Sequence, residues 1–115
     1  MAQKDLNSVK LMGNVANELV MRRTTKGIPC VDFTIAAHSS AGETVRTDYV
    51  DCVAWRSLAE FMEKKVKKGT RLVVEGRLET QKWTDKNGNK RRSTIVVAEE
   101  IYFVGSKKDT TDTAE

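Results

Sequence analysis

At 115 residues the chain has room for one domain with a modest core and is too short for two. Its 39% hydrophobic and 31% charged residues fit a folded globular protein and argue against disorder. The formal charge is +4, and residues 107–115 hold two Lys against three acids, so residues 1–106 carry +5 and a polyanion is a candidate partner.

Cys30 and Cys52 form no CxxC pair and His38 is the single histidine, so neither a zinc site nor a disulfide framework is expected. No metal or cofactor is implied. There is no run of 18 apolar residues, and MAQKDLNSVK has no apolar signal region, which predicts a cytoplasmic protein without a membrane span.

Along the chain, Val9–Val15 (VKLMGNV) predicts a first strand, bent at Gly13-Asn14. Residues 22–29 (RRTTKGIP) gather Thr, Gly and Pro and predict a turn. In residues 31–37 (VDFTIAA) Val31, Phe33 and Ile35 alternate with Asp32 and Thr34, the period-2 pattern of a half-buried second strand. Residues 38–44 (HSSAGET) are small and polar and predict a flexible loop before a third strand over 46–55.

Ser57-Leu58-Ala59-Glu60 matches a capping box, and Leu58, Phe61, Met62 and Val66 recur at helical spacing. These predict a short amphipathic helix of about three turns with Gly69 as its left-handed C-terminal residue. A long fourth strand, Arg71–Thr84, leads to Asn87-Gly88, the pair that suits a two-residue type I′ turn. A fifth strand returns from Lys90 to about Val104. The remaining residues, SKKDTTDTAE, carry nothing apolar larger than Ala, so a domain over 1–106 and a flexible polar tail over 107–115 are expected.

Three strands, a helix and two strands predict an all-β fold: a five-stranded Greek-key OB-fold barrel with one helix between strands three and four. That fold binds oligonucleotides or oligosaccharides on one face. Regular alternation in strand three puts Tyr49 and Trp55 on the same face, six residues or roughly 20 Å apart, either as two stacking points for bases or as core. Trp83 precedes the hairpin tip, and a two-residue turn sets it opposite Arg92. Between residues 82 and 92, Lys82, Lys86, Lys90, Arg91 and Arg92 surround that Trp against one acid, Asp85. Cations for phosphates beside a π-face for bases is the chemistry of single-strand binding; the alternative is a solvated hairpin with an Arg-on-Trp pair. The chain has no GxGxxG, GxxxxGK, GxSxG or HExxH, so no catalytic residues are assigned and an enzyme is not expected.

VKLMGN, FTIAA, TDYVDCVAW followed by SLAEF, KKGTRLVVEGRLET and KWTDKNGN together resemble the bacterial and phage single-stranded DNA-binding proteins over residues 8–104. The resemblance implies a cytoplasmic OB protein, homotetrameric first and dimeric second, that sequesters single-stranded DNA in replication, recombination and repair. It maps stacking aromatics onto Tyr49, Trp55 and Trp83, and phosphate-binding cations onto Arg22, Lys68, Lys82 and Arg91; the hairpin composition adds Arg92. This chain departs from the family where HSSAGE replaces a further aromatic and where Asp51 replaces basic residues, which implies weaker or narrower binding. The tail DTTDTAE lacks the acidic tip, closed by Pro and Phe, through which relatives dock replication and repair proteins. Two other readings are a primosome-type OB protein that helps load a helicase, and an oligosaccharide- or protein-binding OB module, which the basic hairpin disfavours.

Overall fold

The computed structural model describes residues 4–105, so the tail expected over 107–115 lies outside the described residues. The elements are β1 Val9–Val15, β2 Val20–Arg23, β3 Pro29–Ala41, β4 Thr44–Trp55, α1 Arg56–Lys65, β5 Arg71–Thr84 and β6 Lys90–Phe103. The strands lie in the order β1-β5-β6-β4-β3-β2, and β1 also pairs β3 through Asn14↔Ala36 and Val15↔Ile35. That second pairing closes the sheet into the expected OB barrel. β4 and β6 run parallel, at Cys52↔Val96 and Val53↔Val97; the other pairings are antiparallel.

Alternation sets the core. Val31, Phe33 and Ile35 of β3 are buried with Cys52 and Ala54 of β4, Leu72 and Val74 of β5, and Val96 and Ala98 of β6. Ala59 and Met62 of α1, with Val66 just beyond it, plug one end of the barrel. Phe61 lies farther out, edge-on to Phe103 with ring centroids 6.1 Å apart. Two glycines permit the closest backbone approaches. A Cβ on Gly13 would lie 2.3 Å from the Ala36 carbonyl oxygen at the barrel seam, and one on Gly76 would lie 2.0 Å from that of Val97, where the β5–β6 register shifts.

Several local expectations are corrected. The turn over 22–29 is shorter than expected, because Arg22 and Arg23 end β2 and pair with Cys30 and Pro29. Counting β2, the helix follows the fourth strand rather than the third, although it still begins directly after Trp55. VMRR shows no alternation, so a periodicity reading passes over it. Residues 38–44 are not a loop. β3 and β4 continue pairing to Ala41↔Thr44, and only Gly42 (φ 65) and Glu43 form the tip. That end of the hairpin is solvated on both sides, so its strands leave no apolar pattern.

The capping box does not form. Arg56 adopts φ 60 and turns the chain into the helix two residues early, so Ser57 lies inside the first turn and the N-cap is Trp55, with no side-chain cap bond. At the far end the cap is Val66, whose N–H donates to the Met62 carbonyl; Gly69 (φ 95) instead serves the following turn, donating its N–H to Val15. The β5–β6 tip is also longer than two residues. Asp85 N–H donates to the Asn89 carbonyl and Gly88 N–H to that of Asp85, and Gly88 is left-handed whereas Asn87 is not, so the type I′ requirement is unmet. The register therefore slips by one residue: Trp83 sits opposite Arg91, and Lys82 opposite Arg92.

Candidate nucleic-acid interface

Cross-strand partners share a face of the sheet, so the register maps the side of β3 and β4 that points away from the barrel core. Its rows are Cys30–Trp55, Asp32–Val53, Thr34–Asp51, Ala36–Tyr49 and His38–Thr47. β2 adds Arg22 beside Cys30, and β6 brings Val97 beside Val53. From Val97 the unbroken β5–β6 register carries the same face outward, through Arg77–Val97 and Glu79–Ile95 to Trp83–Arg91. Tyr49, Trp55, Trp83, Arg22 and Arg91 therefore share one continuous sheet face.

The three aromatics differ in cover. Tyr49 is 69% exposed, because the methyl of Ala36 opposite it is too small to hide a ring. Trp55 is half-buried against a small outer cluster of Cys30, Val53 and Val97, which fixes the indole while leaving part of its surface in solvent. Trp83 is 49% exposed on the part of the β5–β6 ribbon that extends past the core. It lines an open concavity of about 470 Å³ with Lys82, Thr84, Lys90, Arg91 and Arg92.

The cations divide into two groups. Arg22 grips Asp32 with both arms of its fork, Nε to Oδ2 at 2.5 Å and Nη2 to Oδ1 at 2.9 Å, and that hydrogen bond raises the guanidinium pKa further. Arg91 Nε donates to Asp85 Oδ2 at 2.8 Å. Asp85 Oδ1 accepts the backbone N–H groups of Asn87 and Asn89, so one carboxylate ties the turn to the ribbon, and Arg91 foremost holds it below the usual carboxylate range. Lys68, Lys82 and Arg92 are exposed and form no ion pair among the described residues. Lys82 and Arg92 alternate to the opposite side of the ribbon from Trp83, and Lys68 lies in the turn after α1, off the mapped face. What sequence reading missed is the pairing of Arg22 with Asp32 and of Arg91 with Asp85. The alternation placed Asp32 outward, but only the β2–β3 register brings it beside Arg22.

A row of separated aromatics among cations can stack bases and neutralise phosphates. No group of three or more His, Cys, Asp or Glu among the described residues is placed to hold a metal ion. Burial, with the charge of Asp51 adding to it, pushes the Cys52 thiol up to about 12, which keeps it protonated.

The chain is similar to known proteins over nearly its whole length. The family model described as the single-strand binding protein family matches residues 6–104. A single-stranded DNA-binding protein of Caldanaerobacter subterraneus subsp. tengcongensis is 38% identical over 106 residues, covering 89% of this chain and 70% of the relative. Single-stranded DNA-binding protein 1 of Chlorobaculum tepidum is 36% identical over 110 residues, covering 90% and 68%. Among solved structures, the SSB of Plasmodium falciparum in complex with ssDNA superposes with a TM-score of 0.82 at 24% identity, covering 91% of this chain and 100% of that one, a likeness of fold. On the strength of these matches and of the barrel that carries them, the chain belongs to the single-strand binding protein family.

Proposed function

We propose that this protein binds and protects single-stranded DNA without sequence preference, serving replication, recombination and repair as its family does. Bases stack on Tyr49, Trp55 and Trp83, and phosphates meet Arg22, Lys68, Lys82, Arg91 and Arg92. The observation that carries this reading is the single sheet face shared by the three aromatics. Stacking tolerates any base because each base has a π-face, so no donor–acceptor code is needed. The role is one of binding rather than catalysis, without a cofactor, and its setting is the cytoplasm. No helix among the described residues is long and apolar enough to cross a membrane.

The working unit is a homo-oligomer, a tetramer before a dimer. β1 pairs β5 along Val9 to Asn14 but meets β3 only at Asn14 and Val15, so its other edge is unpaired among the described residues. Beside that edge, Met12, Val73 and Tyr102 form one cross-strand row, with Met12 and Tyr102 each 48% exposed. An open edge next to an apolar row suits a symmetric contact between copies. The domain over 1–106 carries these surfaces, and the tail over 107–115 has no part in binding.

The test is quenching of Trp fluorescence by poly-dT across a salt series. Affinity should fall as salt rises, with a slope of about −0.7 for each phosphate neutralised. No quenching, or quenching indifferent to salt, refutes the reading. Light-scattering mass with and without oligo-dT checks the assembly, and a monomeric mass with binding intact removes the oligomer.

A further inference from the structure

Asp32 stands out among the polar residues of the sheet face. Both its carboxylate oxygens are taken by Arg22, and it has no other hydrogen-bond partner among the described residues. Asp85 holds a turn as well as Arg91, so its presence is explained by the hairpin; the fold makes no such use of Asp32. The two side chains are about equally exposed, Arg22 at 52% and Asp32 at 55%, so the pair contributes little to stability. It does occupy the DNA face. Arg22, Cys30 and Trp55 form one cross-strand row, and two inter-strand spacings put Arg22 roughly 10 Å from Trp55, within reach of the phosphate of a base stacked there.

We propose that Asp32 is an affinity-setting residue: an internal competitor that occupies Arg22 in place of a phosphate and holds single-strand binding below what the face would otherwise reach. The proposal rests on the single-strand reading above. A phosphate is gripped best by the same bidentate fork that Asp32 now fills. With Asp32 in place, an arriving phosphate meets a pair of zero net charge and either displaces the carboxylate or binds the remaining N–H groups with an anion beside it. In both cases Arg22 contributes little counterion release, so the salt slope is shallower than the number of cations on the face implies.

The experiment measures poly-dT affinity of the full chain by Trp quenching across a salt series. The variants are Asp32→Asn, Asp32→Ser, Arg22→Ala, Arg22→Ala combined with Asp32→Asn, and Glu63→Gln. The last removes one acid from the exposed surface of α1, a control for net charge alone. Asp32→Asn and Asp32→Ser should each tighten binding roughly two- to fivefold at low salt, the range of an exposed ion pair. They should also steepen the slope by about 0.7, one further phosphate contact. The double variant should bind no better than Arg22→Ala, and Glu63→Gln should match the unmutated chain. Weaker or unchanged binding by both Asp32 variants overturns the proposal, the weaker case showing that Asp32 orients Arg22 for DNA. A gain that survives loss of Arg22, or that Glu63→Gln reproduces, overturns it as well. If the unmutated chain itself fails to quench with poly-dT, the single-strand reading falls first and the proposal with it.

Discussion

Replacing Trp83 by alanine separates a stacking platform from a structural residue. At 49% exposure, about half of an aromatic surface on the order of 250 Å² is hidden, roughly 125 Å². At ~25 cal/mol per Å² that hidden area sets an upper bound near 3 kcal/mol on the cost to folding. The realised loss should be smaller. The surroundings of Trp83 are side chains of an exposed ribbon, chief among them its cross-strand partner Arg91, which can settle onto the smaller residue, whereas the walls of a packed core cannot. A core Trp would instead cost about 3–5 kcal/mol. Loss of one base–aromatic contact should weaken binding by roughly 1–3 kcal/mol. Trp83→Phe should keep most of the affinity, since stacking needs a ring and not the indole N–H. Thermal melts and titrations with oligo-dT at a temperature where both variants are folded measure the two effects. A Trp83→Ala protein that melts far earlier yet binds as before refutes the assignment.

Gly76→Ala should destabilise strongly, by about 1–3 kcal/mol or more, because its Cβ would lie 2.0 Å from the Val97 carbonyl oxygen and only backbone movement can relieve that contact; a urea melt checks it. Cys52, 3% exposed with its thiol pushed up to about 12, should resist maleimide labelling at pH 8 in the native protein and label on denaturation, so fast native labelling would contradict the packing. Asp85 has a depressed pKa, so its support of the hairpin tip is full above the ordinary carboxylate pKa and is lost as pH falls through the lower folded value. Protection of the Asn87 and Asn89 amides, read as exchange relative to an unstructured peptide at the same pH, should fall at that acid limit, and Asp85→Ala should remove it at neutral pH. Double-stranded DNA should compete poorly with oligo-dT, since a duplex hides its π-faces; equal competition per nucleotide would show that phosphate contacts alone carry binding.

The barrel was legible because half-buried strands write their period into the sequence. Val31, Phe33 and Ile35 face the core as their alternation predicts, and Leu58, Met62 and Val66 mark the side of the helix that packs on it. The elements that leave no signal in the sequence lie where no apolar face is buried. The outer ends of β3 and β4 are solvent-exposed on both sides, so Ser39, Ser40 and Glu43 look like loop although most of that stretch is paired strand. VMRR is four residues and carries no period. At the β5–β6 tip the Asn-Gly pair was visible, but Asp85 accepts from Asn87 and Asn89 and stabilises a longer turn, which moved the partner of Trp83 from Arg92 to Arg91. Strand parity correctly put Tyr49 and Trp55 on one face; their different exposure depends on Ala36 and Cys30 across the sheet, which parity within one strand does not reveal.

Counting charges along the chain therefore overstates the cation available to a bound strand. Residues 1–106 carry +5, yet Arg22, Arg77 and Arg91, the three arginines mapped to the aromatic face, already hold carboxylates, and Asp51 occupies the same face. Long-range attraction from such a face is modest, because each Arg–Asp pair is neutral at a distance. Stacking is not weakened in this way, since the ring of Tyr49 and the exposed parts of Trp55 and Trp83 need no counter-charge. The balance shifts toward the π-faces, and a protein that depends on them selects strands whose bases are already unpaired. The acids lower the part of the affinity that single strand and duplex share, which leaves their ratio to be set by stacking, the contact a duplex cannot offer.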